Sequence, residues 1–123
     1  MDYDRTKAKV EFKKRLYKFT LQLVDLIEKL PHDNVSRRIG DQLLRSGTSI
    51  IGNYIEGQSA SSKRDFTNYF NISLKSANES KLWLSILKDT KKVKEDDSTL
   101  LMGELKEISS ILASSILTLK NKR

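Results

Sequence analysis

Cysteine is absent from this sequence, and histidine occurs once, at His32. Without thiols there can be no disulfide and no thiolate metal site. A Ser-His-Asp triad or a His-rich metal centre would have to rest on His32 alone. His32 follows Pro31 in an expected turn and reads as a solvated loop residue. No metal and no cofactor are therefore expected. Pro31 is the single proline, and 123 residues contain only five glycines. A β-sandwich or barrel of this length needs many tight turns, and the residues that make them are missing. Long apolar runs are also lacking: none approaches the ~18 residues of a membrane span. The start, MDYDRTKAKV, is charged and has no apolar targeting core. The expectation is a cytoplasmic protein with no membrane contact.

What the sequence does have is charge and helical rhythm. Hydrophobic residues make up 37% and charged residues 32%. That supports a core only if apolar side chains are segregated onto faces. The length favours one domain, taken as residues 1–123. Helices are expected at about 4–30, 34–56, 62–89 and 97–120. In the first, Phe12, Leu16, Phe19, Leu23, Leu26 and Leu30 step by four and three, a heptad stripe. Pro31 ends it. The second opens at Asp33 or Asn34, both good N-caps, and closes at Gly57 as a C′ residue. The third opens at Ser61 or Ser62, with Ser62 and Asp65 resembling a capping box. Glu95, Asp96 and Asp97 suit the positive end of the fourth. Its stripe is Leu101, Leu105, Ile108, Leu112, Ser115 and Leu119. The breaks are short, so successive helices should run antiparallel. The fold class is all-α, an up-down-up-down four-helix bundle.

The middle helices are apolar on more than one side. On a helical wheel the apolar arc of the second covers roughly 160°, wider than a core stripe needs. The third places Ile72, Leu82, Trp83 and Ile86 away from its Phe66, Phe70, Ala77 and Leu84 face. Such a surplus marks a subunit interface, with Ile51, Ile55, Ile72, Trp83 and Ile86 as its candidates. Opposite the arc of the second helix lies a narrow polar stripe: Gln42, Arg45, Ser49, Asn53 and Glu56. It reads as a hydrogen-bonding seam between helices or subunits in preference to a recognition surface. Arg45 and Glu56 are too far apart to pair with each other, so each needs a partner elsewhere. Gly47 and Gly52 each cost ~1 kcal/mol inside a helix, and close approach of a neighbouring helix is the expected compensation. The segment has neither the spacing nor the lysine of a phosphate-binding loop.

These residues also carry a family resemblance. The string QLLRSGTSIIGNYIEG (Gln42–Gly57) is followed by SKRDF (Ser62–Phe66) and by SLKSANESKLWLSIL (Ser73–Leu87). Gln42, Arg45, Ser46, Ser49, Ile50, Asn53, Glu56 and Gly57, then Asp65, Phe66 and the Trp83–Leu84 pair, match the pattern of a bacterial family. The sequence resembles the four-helix-bundle proteins encoded in 23S rRNA intervening sequences over about Phe12 to Leu119. It departs at Ile51, Gly52 and Ile55. The resemblance implies a four-helix bundle assembled as a ring-like homopentamer, with no catalytic activity. It is also similar to an accessory protein of diversity-generating retroelements, which implies a basic, nucleic-acid-binding barrel.

The bundle topology turns the net charge of +7 into a statement about place. One end should hold the start of the first helix, the second-to-third turn and the C-terminus. Arg5, Lys7, Lys9, Lys13, Lys14, Arg15, Lys18, Lys63, Arg64, Lys120, Lys122 and Arg123 lie there. Asp2, Asp4, Glu11, Glu56 and Asp65 are its only acids. The whole excess belongs to that end, and the rest of the chain balances. Five parallel subunits would collect about +35 on one rim, enough to attract a phosphate backbone without reading its sequence. The expected partner is RNA or DNA, bound by a homo-oligomer. An adaptor that binds a protein partner is the alternative. An enzyme is not expected. Tyr3 and Tyr17 are the aromatic candidates for stacking at that end.

Overall fold

The computed structural model describes residues 2–121, with side chains from Asp4 onward. Tyr3, Lys122 and Arg123 therefore fall outside the described side chains. Four helices account for nearly all of it: α1 (Asp2–Glu28), α2 (Asn34–Gln58), α3 (Lys63–Asp89) and α4 (Glu95–Lys120). No strand occurs among the described residues.

Local chemistry sets the helix ends. After α1, Lys29 and Leu30 tighten into a last turn, with the Leu30 amide donating to the Ile27 carbonyl at 3.1 Å. Pro31 follows and cannot continue the ladder. Asp33 is the N-cap of α2, accepting from the Ser36 amide at 2.8 Å and the Ser36 hydroxyl at 2.9 Å. Ser62 caps α3, accepting from the Asp65 amide at 3.1 Å. The end of α3 carries paired 6→1 and 5→2 closing bonds. The Lys92 amide donates to the Leu87 carbonyl at 2.8 Å, and the Lys91 amide donates to the Lys88 carbonyl at 3.0 Å. Lys91 holds the left-handed position there, at φ 59°. α4 starts at Glu95, two residues earlier than expected, behind Lys94, which makes no side-chain cap.

Two expectations about glycine are corrected. Gly57 is not a left-handed C′ residue: α2 runs on to Gln58, and no glycine has positive φ. Its role is close approach, since a Cβ there would meet the Phe70 ring at 2.8 Å. Gly52 faces open space, so no neighbouring helix within the chain compensates for it. Gly47 behaves as expected, because Leu23 of α1 occupies the place a Cβ would take.

Cross-helix contacts run in opposite senses for each pair of consecutive helices. Phe12 meets Tyr54, while Gly40 meets Leu30. Ser46 meets Ser80, while Tyr54 meets Phe70. Asn78 meets Ser109, while Lys88 meets Glu95. The helices are thus antiparallel in chain order, as a bundle with short connections requires.

The core is one cluster running the length of the bundle. The α1 stripe from Leu16 to Leu30 is buried, and Phe12 packs on its edge. Leu43, Ile50 and Tyr54 come from α2, and Phe70, Ala77, Leu84 and Leu87 from α3. In α4 the buried stripe runs on to Ile116, in place of the expected Ser115 and Leu119, which are half-buried. A straight helix drifts ~20° per heptad, which by the fourth step has turned Ile116 inward. Each fully buried leucine contributes roughly 1.5–3 kcal/mol.

Packing around the ring of helices is uneven. α2 and α3 form the most extensive contact, while α1 and α4 touch least. Serine makes the α2–α3 approach close. Ser46, Ser73, Ser76 and Ser80 are all buried. Ser46 and Ser80 share a hydrogen bond of 2.8 Å, and Ser73 donates to the Ile50 carbonyl at 2.8 Å. Ser80 donates to the Ser76 carbonyl, and Ser76 to the Ser49 hydroxyl at 2.9 Å. Small hydroxyls bring the backbones together and satisfy each other when buried.

Candidate nucleic-acid interface and apolar faces

The antiparallel order brings the start of α1, the start of α3 and the end of α4 to one end of the bundle. Lys7, Lys9, Lys13, Lys14 and Lys18 of α1, Lys63 and Arg64 of α3, and Lys120 of α4 are all exposed there. Lys7, Lys9, Lys13, Lys14, Arg64 and Lys120 make no ion pair among the described residues. The opposite end is neutral and internally paired: Lys29 with Asp25 at 2.9 Å, Lys92 with Asp33 at 3.1 Å, and Lys88 with Glu95 at 3.9 Å. The two ends therefore differ in net charge, and three lysines of the neutral end are held in ion pairs.

Arg15 is the exception on the basic end. Its guanidinium grips Glu104 of α4 with two hydrogen bonds, 2.9 Å from Nε and 2.7 Å from Nη2. That grip raises the Arg15 pKa and lowers that of Glu104. A fork-to-carboxylate pair of this kind is geometrically committed. Arg15 is thus a tie between α1 and α4, and it differs in this from Lys13 and Lys14 beside it.

Asp33, at the far end, is the most perturbed acid. The hydrogen bond that its carboxylate accepts from the Ser36 amide, and then the one from the Lys92 ammonium, hold its pKa at about 2. Within the core, burial raises the pKa of the Tyr54 hydroxyl.

The polar stripe of α2 resolves into a seam with α3. Arg45 bonds Gln42 on its own helix at 2.9 Å and forms an ion pair with Glu79 of α3. Glu79 also accepts from the Trp83 indole N–H at 2.8 Å. Asn53 donates to the Ser49 carbonyl and hydroxyl, both at 2.9 Å. Glu56 is exposed and has no ion-pair partner among the described residues. Glu79 was not singled out from sequence, because nothing local marks which α3 carboxylate meets Arg45.

The candidate interface residues fall on two separate faces. Ile51 and Ile55 line a shallow apolar groove of ~690 Å³ between α1 and α2, with Val10, Tyr17 and Leu21. Lys13, Lys14 and Lys18 rim it. Val10, Tyr17, Leu21 and Ile55 are all more than two-fifths exposed. Ile72, Trp83 and Ile86 lie on α3 instead, where Ile72 is 44% exposed and the other two are half-buried. Leu82, 53% exposed, is on the same helix.

A second groove, of ~630 Å³, separates the start of α1 from the end of α4. These two helices make the least extensive contact of any neighbouring pair. Phe66 of α3 also lines it. That ring closes a chain of aromatic contacts across the basic end: Phe12 on Tyr54 at 5.0 Å, Tyr54 on Phe70 at 5.3 Å, and Phe70 on Phe66 at 4.1 Å. The groove was not legible in the sequence, since it arises from helix separation.

Among the described residues, no three His, Cys, Asp or Glu side chains are grouped to hold a metal ion. No described helix is long and apolar enough to cross a membrane. Fold and surface together define an all-α four-helix bundle whose excess positive charge is gathered at one end. The chain belongs to the 23S rRNA-intervening sequence protein family, whose model matches residues 8–114. It is similar to the crystal structure of a protein of unknown function from the S23 ribosomal protein family of Bacteroides thetaiotaomicron. Identity is 35%, covering 85% of this chain and 96% of that one, with a TM-score of 0.80. No curated protein matches the chain.

Proposed function

We propose that this protein is a non-enzymatic homo-oligomeric scaffold, a ring-like pentamer, that binds RNA or DNA electrostatically through a basic rim. The observation that carries this reading is the polarity of its charge. Lys7, Lys9, Lys13, Lys14 and Lys120 at one end make no ion pair among the described residues, while Lys29, Lys88 and Lys92 at the other end do. A cationic surface releases the counterions of a phosphate backbone on contact, whatever its sequence. Assembly multiplies that field.

Two distinct apolar faces support the oligomer. Rings are built by heterologous contacts, in which one surface of each subunit meets a different surface of the next. The α1–α2 groove and the exposed α3 face supply two such surfaces. Closing them would also cover exposed isoleucine and leucine that a small monomer has no reason to display.

Size-exclusion chromatography with light scattering, recording the 260/280 nm ratio of the untreated preparation, tests assembly and co-purifying nucleic acid together. The reading expects a mass several times that of the chain. It also expects anisotropy-measured affinity for any oligonucleotide to fall steeply with salt, and the K13E/K14E double variant to weaken all sequences alike. A monomeric protein would refute the assembly, and salt-indifferent binding would refute the rim. A protein captured in place of nucleic acid would favour an adaptor.

A further inference from the structure

We propose that the groove between the start of α1 and the end of α4 is a subsite for one unpaired base and its phosphate within a nucleic-acid strand. This rests on the rim reading and deepens it. Three kinds of group converge on the groove. Arg5 and Lys9 line it from α1, the half-buried Phe66 from α3, and Ser114 and Thr118 from α4.

Each group supplies what a nucleotide requires. Arg5 and Lys9 are exposed and make no ion pair among the described residues, so both cations are available to a phosphate. Phe66 is half-buried, and its contact with Phe70 at 4.1 Å and 26° fixes its plane from behind. A ring already held in place stacks a base without an ordering cost. Ser114 and Thr118 make no side-chain hydrogen bond among the described residues, leaving donor and acceptor groups for a base edge. The ~630 Å³ volume lies within the roughly 300–1,000 Å³ of small-molecule sites.

The groove has a structural origin. α1 and α4 are the loosest pair of neighbours, and Ala8 and Ser114 are too small to fill the space between them. A base inside a duplex cannot reach such a groove, whereas a base splayed from a single strand can. The rim alone would treat single strands and duplexes by charge density. The groove adds a contribution that only an unpaired base can receive.

The test compares a short fluorescein-labelled oligodeoxyadenylate with an abasic strand of equal length, by anisotropy at fixed salt. Wild type should bind the adenylate about tenfold more tightly, the effect of stacking one base. Phe66→Leu keeps an apolar contact with Phe70 but removes the stacking ring. Ser114→Leu fills the groove from an exposed helix position. Both should erase the tenfold ratio and leave abasic affinity unchanged. The same ratio with an oligoriboadenylate supports the subsite equally, because base and phosphate are common to both strands. If Phe66→Leu unfolds by circular dichroism, Ser114→Leu decides. A ratio of one in wild type, or a ratio that survives Ser114→Leu, overturns the subsite while the rim stands. Failure of wild type to bind either strand overturns the rim and the subsite together.

Discussion

Gly47 of α2 and Leu23 of α1 occupy mutually exclusive space: a methyl group on Gly47 would overlap Leu23 Cδ2. Leu23 is fully buried and cannot swing into solvent. The small residue therefore sets how near α1 and α2 lie at mid-bundle.

Gly47→Ala should destabilise the protein by about 1–3 kcal/mol, since overpacking outweighs the gain in helix propensity. Gly52→Ala, five residues along the same helix, should stabilise it by up to ~1 kcal/mol, because nothing lies near that position. Urea unfolding of the two variants measures the contrast. Equal effects of the same sign would contradict the packing described.

Arg15 and its lysine neighbours should separate in their effects. Arg15→Ala removes the tie to Glu104 and should cost about 0.5–1 kcal/mol, given that the pair is partly exposed. Its effect on polyanion affinity should be small beside that of Lys13→Glu. Melting temperature and oligonucleotide affinity, measured on both variants, resolve the two roles. A large affinity loss in Arg15→Ala alone would make that residue part of the rim.

Acid stability should depend on Asp33. Its folded pKa, about 2, lies below the ordinary carboxylate value, so the charged form is favoured in the folded state. The stability this supplies is fully present above pH ~4, the unfolded value, and is lost as pH falls toward about 2. Asp33→Asn keeps an N-cap but removes the titration, so its stability should vary less with pH across that window. Denaturation midpoints at pH 5 down to 2 would show it. Parallel curves for variant and wild type would exclude this role.

Lys91 occupies a left-handed position that glycine adopts without a Cβ penalty. Lys91→Gly should raise stability by about 0.5–1 kcal/mol, and thermal melting reads the change. A loss of stability would mean that the lysine side chain makes an offsetting contact.

The helices and their core faces were legible because they are local patterns. Leu16, Leu23, Leu105 and Leu112 announce themselves by spacing, and Asp33 and Ser62 by cap chemistry. The α2–α3 seam was legible only as a question. Arg45 needed a partner, but Glu79 became that partner through the register of two helices 34 positions apart. Ser46 and Ser80 are buried, while serine in general is exposed, so composition points the wrong way for them. Of the basic end, the identity of the cations was legible and their availability was not. Only the fold shows that Arg15 is taken by Glu104 while Lys13 and Lys14 are free of ion pairs. Phe66 looked like a core residue from its spacing, and its place in the lining of a groove depends on how far α1 stands from α4.

Trp83 is the only tryptophan in the chain, and its indole N–H is tied to Glu79, beside the exposed α3 face. It is therefore a built-in optical probe of that face. Burial of Ile72 and Ile86 against a second subunit should shift its emission to shorter wavelength on dilution-reversible assembly. Occupancy of the basic end, towards the opposite terminus of α3, should leave the spectrum alone. One fluorophore thus separates the two events, which affinity measurements by themselves report only in combination.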